Sequence, residues 1–329
     1  MVRPPEQHTE PEPEPHPARV KAVAIVGYTR SGSTLLDSIL GQIPGFFSTG
    51  ELHYIWERGL IERRRCGCGA SIPECEVWSD VLERAFEGSP PDPRQVMRWQ
   101  DGAVRTRHTW GLLKGGERPV DRAALAAYLP VAGRLYRAIA ASTGARVIVD
   151  SSKRASDGAV LRLLDEVDPY VVHLVRDPRA VIHSWRRRKV ELDSEQPSEM
   201  PRQGRARTAA EWSQSNIAAD ALRKRMGPGR SMLLRYEDLM RAPRTAVQAI
   251  ARMVGEGEAA LPFDDEHTVR LGSNHTVGGN PARFSAGPTE LRADDEWQRR
   301  MPAAARLGAT ALTAPLLARY GYPVIRAGR

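Results

Sequence analysis

The sequence predicts an α/β fold of three layers, α/β/α, with helices over both faces of a central parallel sheet. Three observations predict it. Short apolar runs of strand length recur along the chain, helical stretches separate them, and each run ends in a polar cluster. Apolar strands alternating with helices are the pattern of a parallel sheet covered on both sides.

The first strand is Val20 to Val26, stopping at Gly27. Apolar spacing over Thr34 to Leu40 suits the helix that follows. Arg146 to Asp150, Tyr170 to Val175 and Ser231 to Tyr236 form three more strands. They lead into Asp150-Ser151-Ser152-Lys153, Arg176-Asp177-Pro178 and Glu237-Asp238. Helices are expected over Arg122–Ser142, Ala155–Asp165, Ala180–Val190, Ala206–Met226 and Pro243–Val254, and no internal repeat is found. Residues 1–19, rich in Pro and Glu, predict a disordered tail. Residues 20–329 then form one domain with insertions at about 57–120 and 191–205. Both insertions are placed over the sheet edge where the strands end, since ligands of open α/β sheets bind there.

The chain has 329 residues and a formal net charge of +8, which favours anionic ligands. The excess is spread out rather than gathered in a tail, which argues against nucleic acid as the main partner. The N-terminus lacks the apolar core of a signal peptide, and no run approaches the ~18 residues that span a membrane. A cytoplasmic protein is expected. Cys66, Cys68 and Cys75 are the three cysteines, and an odd number argues against a secreted disulfide framework. They read as a thiol-bearing loop with room for one disulfide. Zinc would want a fourth ligand, for which His53 is the nearest upstream candidate; no metal is expected.

Gly27-Tyr28-Thr29-Arg30-Ser31-Gly32-Ser33-Thr34 links the first strand to the first helix. It fits the P-loop frame GxxxxGK[ST] except that Ser33 stands where the lysine belongs, with a basic residue at Arg30 instead. Its glycines let backbone N–H groups converge on an anion, and the helix start adds its positive dipole end. Ser31, Ser33 and Thr34 add hydroxyl donors. Without the lysine, and without a clear carboxylate for Mg²⁺, the loop suits a single bridged 5′ anion better than a triphosphate.

Arg176 closes a later strand, where its guanidinium can fork two hydrogen bonds to a phosphate or instead pair with Asp177. Pro178 opens the next helix, and Ser184 lies eight residues beyond Arg176, about two turns down it.

Arg30-Ser31-Gly32-Ser33-Thr34-Leu35-Leu36 resembles the 5′-phosphosulfate loop of the sulfotransferases that use 3′-phosphoadenosine 5′-phosphosulfate (PAPS). The likeness is to the bacterial, Golgi and tyrosylprotein branches rather than the cytosolic one. Arg176 and Ser184 match the family's 3′-phosphate signature, and the resemblance covers about residues 20–290. It implies a P-loop-like fold, PAPS as co-substrate and a hydroxyl or amine of a carbohydrate, lipid or small natural product as acceptor. In Thr49-Gly50-Glu51 it implies Glu51 as general base, with His53 as runner-up. It implies Lys153 beside the transferring sulfate with Arg30, and Arg283, in the Gly-rich loop from Asn274 to Phe284, closing over the nucleotide. Trp56, Trp78, Trp99 and Trp110 are candidates for the acceptor surface or for packing. Two other functions stay open on the residues alone. One is phosphoryl transfer with ATP and Mg²⁺; the other is a non-catalytic nucleotide-binding module.

Overall fold

The computed structural model describes residues 19–115, 120–187, 190, 191, 193, 198, 199 and 202–324. The expected N-terminal tail lies outside these, apart from Arg19. Five strands form the central sheet: β1 (Val20–Gly27), β2 (Phe46–Gly50), β3 (Val147–Lys153), β4 (Val167–Val175) and β5 (Ser231–Arg235). Their order is β2-β3-β1-β4-β5, and every neighbouring pair is parallel. β1 thus sits in the middle, and the chain leaves it for the edge before β3 returns beside it. That reversal opens a crevice at the carboxyl ends of β1, β3 and β4, where ligands of such sheets bind.

The side-chain alternation of β1 sorts the layers. Ala22, Ala24 and Val26 pack with α4 (Arg122–Thr143), α5 (Ala155–Leu161) and α7 (Arg205–Met226). Val23 and Ile25 face the other way, onto α1 (Ser33–Leu40) and α8 (Pro243–Met253). Leu36 and Ile39 of α1 are fully buried against the sheet. Truncating either to Ala would cost about 2–5 kcal/mol.

Sequence expectation and structure differ in three places. β2 was not anticipated, because Phe46-Phe47-Ser48-Thr49-Gly50 is short and half polar; it survives as an edge strand on β3. β3 runs on through Lys153, so Ser152 and Lys153 end the strand rather than follow it. The first insertion, which shows no clear period, is largely helical. α2 (Glu76–Phe86) and α3 (Pro93–Ala103) bury Trp78, Val81, Phe86 and Val96 in one cluster with Leu125 and Tyr128 of α4. Each helix is 11 residues long and its flanks are highly charged, which hides the spacing. The second insertion holds a short antiparallel pairing of Val190–Glu191 with Ser198–Glu199; its Pro197 and Pro201 lie outside the described residues.

Helix α6 (Pro178–Arg186) starts as its sequence dictates. Asp177 caps it by accepting the Arg179 N–H at 2.8 Å, and Pro178 occupies the first turn, where its missing N–H is harmless. Asp177 also pairs with the Arg179 guanidinium, which leaves Arg176 to other partners.

Candidate functional site

A cavity of about 290 Å³ opens at the carboxyl ends of β1, β3 and β4. Arg30, Gly32, Ser33 and Thr34 line one side, Arg176 and Ser184 another, and Glu51 and Lys153 stand between. The loop after β1 turns sharply. Gly27 has φ +143°, and a Cβ there would stand 2.3 Å from the Leu174 carbonyl oxygen. Gly32 has φ +92°, and its Cβ would meet the Tyr236 ring at 2.8 Å. No side chain caps α1 at Gly32, so the N–H groups of its first turn are available to an anion. The Arg30 guanidinium lies over the Trp185 ring, 4.7 Å from its centroid.

Arg176 stacks on Tyr236 at 4.2 Å and donates to the Arg30 carbonyl at 3.1 Å. It also meets Asp294, through the carbonyl at 2.9 Å and the carboxylate at 3.3 Å. Arg187 holds the same carboxylate at 2.6 Å. Burial pushes the Asp294 carboxyl up, but the two guanidinium groups outweigh it and hold it below the usual range. The Asp294 carboxylate thus sits between two arginines at the cavity.

Lys153 departs from regular backbone. Its φ is +73°, and the pairing of β1 with β3 slips between Ala24 and Val26, where Val26 meets Lys153. A left-handed non-glycine residue is strained and persists where its surroundings enforce it. Here Asp150 accepts the Ser152 N–H at 2.8 Å and the Tyr136 hydroxyl at 2.7 Å. The result aims the Lys153 ammonium at the Glu51 carboxylate, to which it is bonded. The other Glu51 oxygen takes Arg58 at 3.2 Å. Burial raises the Glu51 pKa, but Lys153 and Arg58 more than offset it, and the carboxyl ends below its ordinary value. Glu51 is thus a carboxylate held next to a cation, in the cavity that Arg30 and Arg176 also line.

The Sulfotransferase family model matches residues 75–258, more than half of the chain. The chain belongs to the sulfotransferase family. No curated protein matches it. The sulfotransferase domain of the Synechococcus PCC 7002 olefin synthase is 23% identical, with 92% of this chain and 96% of that one covered at a TM-score of 0.49. The sulfotransferase domain of the curacin biosynthetic pathway is 19% identical, covering 93% and 99% at 0.48. A sulfotransferase from Alicyclobacillus acidocaldarius is 14% identical, covering 93% and 97% at 0.38.

Family membership makes this sulfotransferase an enzyme of group transfer, so the ATP-dependent and non-catalytic readings fall away. The matched span includes Lys153, Arg176 and Ser184; the loop at 27–34 and Glu51 precede it.

Three expected site residues do not line the cavity of this sulfotransferase. His53 does not face the cavity: its Nδ1 meets Asp157 at 2.9 Å and its Nε2 meets Arg154 at 2.8 Å. It follows Glu51 by two residues in a short helical turn, so the two side chains diverge. Arg283 is fully buried behind the cavity wall, where it donates to the Arg65 carbonyl at 2.6 Å and pairs with Asp193 at 3.5 Å. It organises the loop that Asn280 and Ala282 present to the cavity. Ser31, within the loop after β1, is buried and is not among the residues that line the cavity. The four tryptophans do not line this cavity either. Trp56 and Trp78 are core, Trp99 packs on that core, and Trp110 is exposed on a separate groove with Ile217 and Leu316. That groove is larger but carries none of the residues around Glu51.

Sequence reasoning missed Tyr236, Asp294 and Arg58 as neighbours of the site. Tyr236 had a signal, since it follows a strand directly. Asp294 had none, lying in a segment without motif or period. No helix among the described residues is long and apolar enough to cross a membrane.

Proposed function

We propose that this sulfotransferase moves the sulfuryl group of PAPS to an acceptor hydroxyl or amine by in-line displacement, with Glu51 as general base. The observation that carries the reading is the Glu51–Lys153 pair set inside one cavity with Arg30 and Thr34 on one side and Arg176 and Ser184 on another. The family implies PAPS as donor, and the site suits its two phosphate groups. The loop at Arg30 to Thr34 takes the 5′-phosphosulfate on backbone N–H groups, hydroxyls and a guanidinium. Arg176 and Ser184 take the 3′-phosphate, displacing Asp294.

The acceptor oxygen or nitrogen attacks sulfur while the bond from sulfur to the bridging phosphate oxygen breaks. Glu51 receives the acceptor's proton. Negative charge grows on the bridging oxygen of the departing adenosine 3′,5′-bisphosphate, and Lys153 and Arg30 offset it. Lys153 leaves Glu51 for the sulfate as donor binds, which frees the carboxylate at the moment it is needed. The acceptor is a carbohydrate, lipid or small natural product.

The test is transfer of labelled sulfate from PAPS into extracts of the source organism. Label should enter a discrete product with wild-type protein and not with Glu51→Gln. Equal labelling by both would remove Glu51 from the reaction.

A further inference from the structure

Cys66, Cys68 and Cys75 are joined by a residue the sequence did not connect to them. Their sulfur atoms and His275 Nδ1 all lie within 4.8 Å of one another. Cys75 Sγ is 3.2 Å from His275 Nδ1 and 3.7 Å from Cys68 Sγ, and Cys66 Sγ is 3.9 Å from the same nitrogen. We propose that these four residues hold one structural zinc ion.

The ligand chemistry and the spacing agree. Three thiolates and an imidazole are an established tetrahedral zinc set, with Zn–S of about 2.3 Å and Zn–N of about 2.0–2.1 Å. Tetrahedral bonds of that length put ligand atoms about 3.5–3.8 Å apart, close to the separations found here. A disulfide would need sulfurs at about 2.05 Å. All three thiols are free, and joining any two would leave the third and the imidazole without a role. His53, the candidate chosen from proximity in sequence, is bonded to Asp157 instead.

The surroundings are built to present these groups. The Cys66 N–H donates to the Ala70 carbonyl at 2.7 Å, and the Gly69 N–H donates back to the Cys66 carbonyl at 2.9 Å. This closes a tight turn around Cys66-Gly67-Cys68-Gly69. Gly67 leaves no room for a side chain, since a Cβ would stand 1.8 Å from Asn274 Oδ1. Trp78 Nε1 donates to the His275 carbonyl at 2.7 Å, and the Phe47 ring lies stacked on the imidazole. Outer partners of this sort fix a ligand's orientation.

The ion would tie the insertion to the substrate cavity. His275 begins the loop that covers the site. Two residues on, Val277 exchanges backbone bonds with Glu51 at 2.7 Å and Thr49 at 2.8 Å. The Asn280 N–H then reaches the Thr34 hydroxyl at 3.2 Å. Four protein ligands leave no open position, so the metal's part is structural rather than catalytic. The proposal stands on the ligand geometry and does not depend on which acceptor the enzyme uses.

The test is metal content of the full-length protein, purified reduced and without chelator, by elemental mass spectrometry. Cys68→Ser is the main variant, because Cys68 is exposed and its loss should not disturb packing; His275→Ala is the second. Wild-type protein should carry about one zinc per chain. It should also take up Co²⁺ with the thiolate charge-transfer and ligand-field bands of a tetrahedral site. Both variants should lose zinc to chelator at concentrations at least ~10-fold lower. The proposal is overturned if reduced wild-type protein takes up neither ion stoichiometrically. Zinc retention equal to wild type in both variants, or a Cys68–Cys75 disulfide in place of metal, would overturn it as well.

Discussion

Lys153 Nζ is bonded to Glu51 Oε1 across the carboxyl end of the sheet, joining residues 102 positions apart. The backbone at Lys153 is left-handed, and the pairing of β1 with β3 shifts register beside it.

If Glu51 takes the acceptor's proton, Glu51→Gln keeps the shape of the site and removes its basicity. Turnover should fall about 10²–10⁴-fold, the usual worth of general base catalysis. Affinity for adenosine 3′,5′-bisphosphate should stay within ~3-fold. Single-turnover kinetics and equilibrium titration separate the two effects.

Lys153→Met should do something different. Burial raises the Glu51 pKa, and Lys153 is the largest of the charges that bring it back below its ordinary value. In wild type the base is therefore ionised throughout neutral pH, and kcat/KM should have no acid limb between about pH 6 and 8. Removing the ammonium lets burial prevail. The Glu51 pKa rises, and an acid limb should move up into the measurable range. A rate loss without any shift of that limb would mean that Lys153 acts only on the sulfate.

Asp294 bridges Arg176 and Arg187, the place proposed for the donor's 3′-phosphate. Asp294→Asn should remove this internal competitor and tighten adenosine 3′,5′-bisphosphate binding, by up to about tenfold or ~1.4 kcal/mol. Weaker binding in the variant would show that Asp294 serves mainly to position Arg176.

Asp37, in helix α1 after the loop at 27–32, is fully buried, and burial raises its pKa to about 7. The folded state therefore holds a proton that the unfolded chain releases near 3.8. The stabilisation is complete below pH 3.8 and is lost as pH rises through about 7. Summed over that window the loss is on the order of 4 kcal/mol. Asp37→Asn mimics the protonated form. Its Tm should match wild type only below about pH 3.8 and exceed it at pH 8, read by thermal melts at both ends of that window.

The parts of the site carried by a continuous strand–loop–helix unit were legible in the sequence. Gly27 to Thr34 shows its glycines and hydroxyls in order, and Arg176, Pro178 and Ser184 lie on one strand end and one helix. Glu51 and Lys153 could be named singly, but their mutual bond depends on β2, an edge strand too short and polar to read. His275 lies 200 residues from Cys75, and nothing in either segment points to the other. Arg283 misled for a related reason. A basic residue in a Gly-rich loop looks like a ligand group until packing turns it inward, toward Arg65 and Asp193.

The most direct test of the account is the affinity of the protein for adenosine 3′,5′-bisphosphate against adenosine 5′-monophosphate, measured by calorimetric titration. The two differ only in the phosphate assigned to Arg176 and Ser184. Wild type should prefer the bisphosphate by at least ~30-fold. Arg176→Ala should abolish most of that preference, while Arg30→Ala should weaken both ligands together. Equal wild-type affinity for the two nucleotides, or a preference unchanged by Arg176→Ala, would contradict the assignment of this cavity to PAPS.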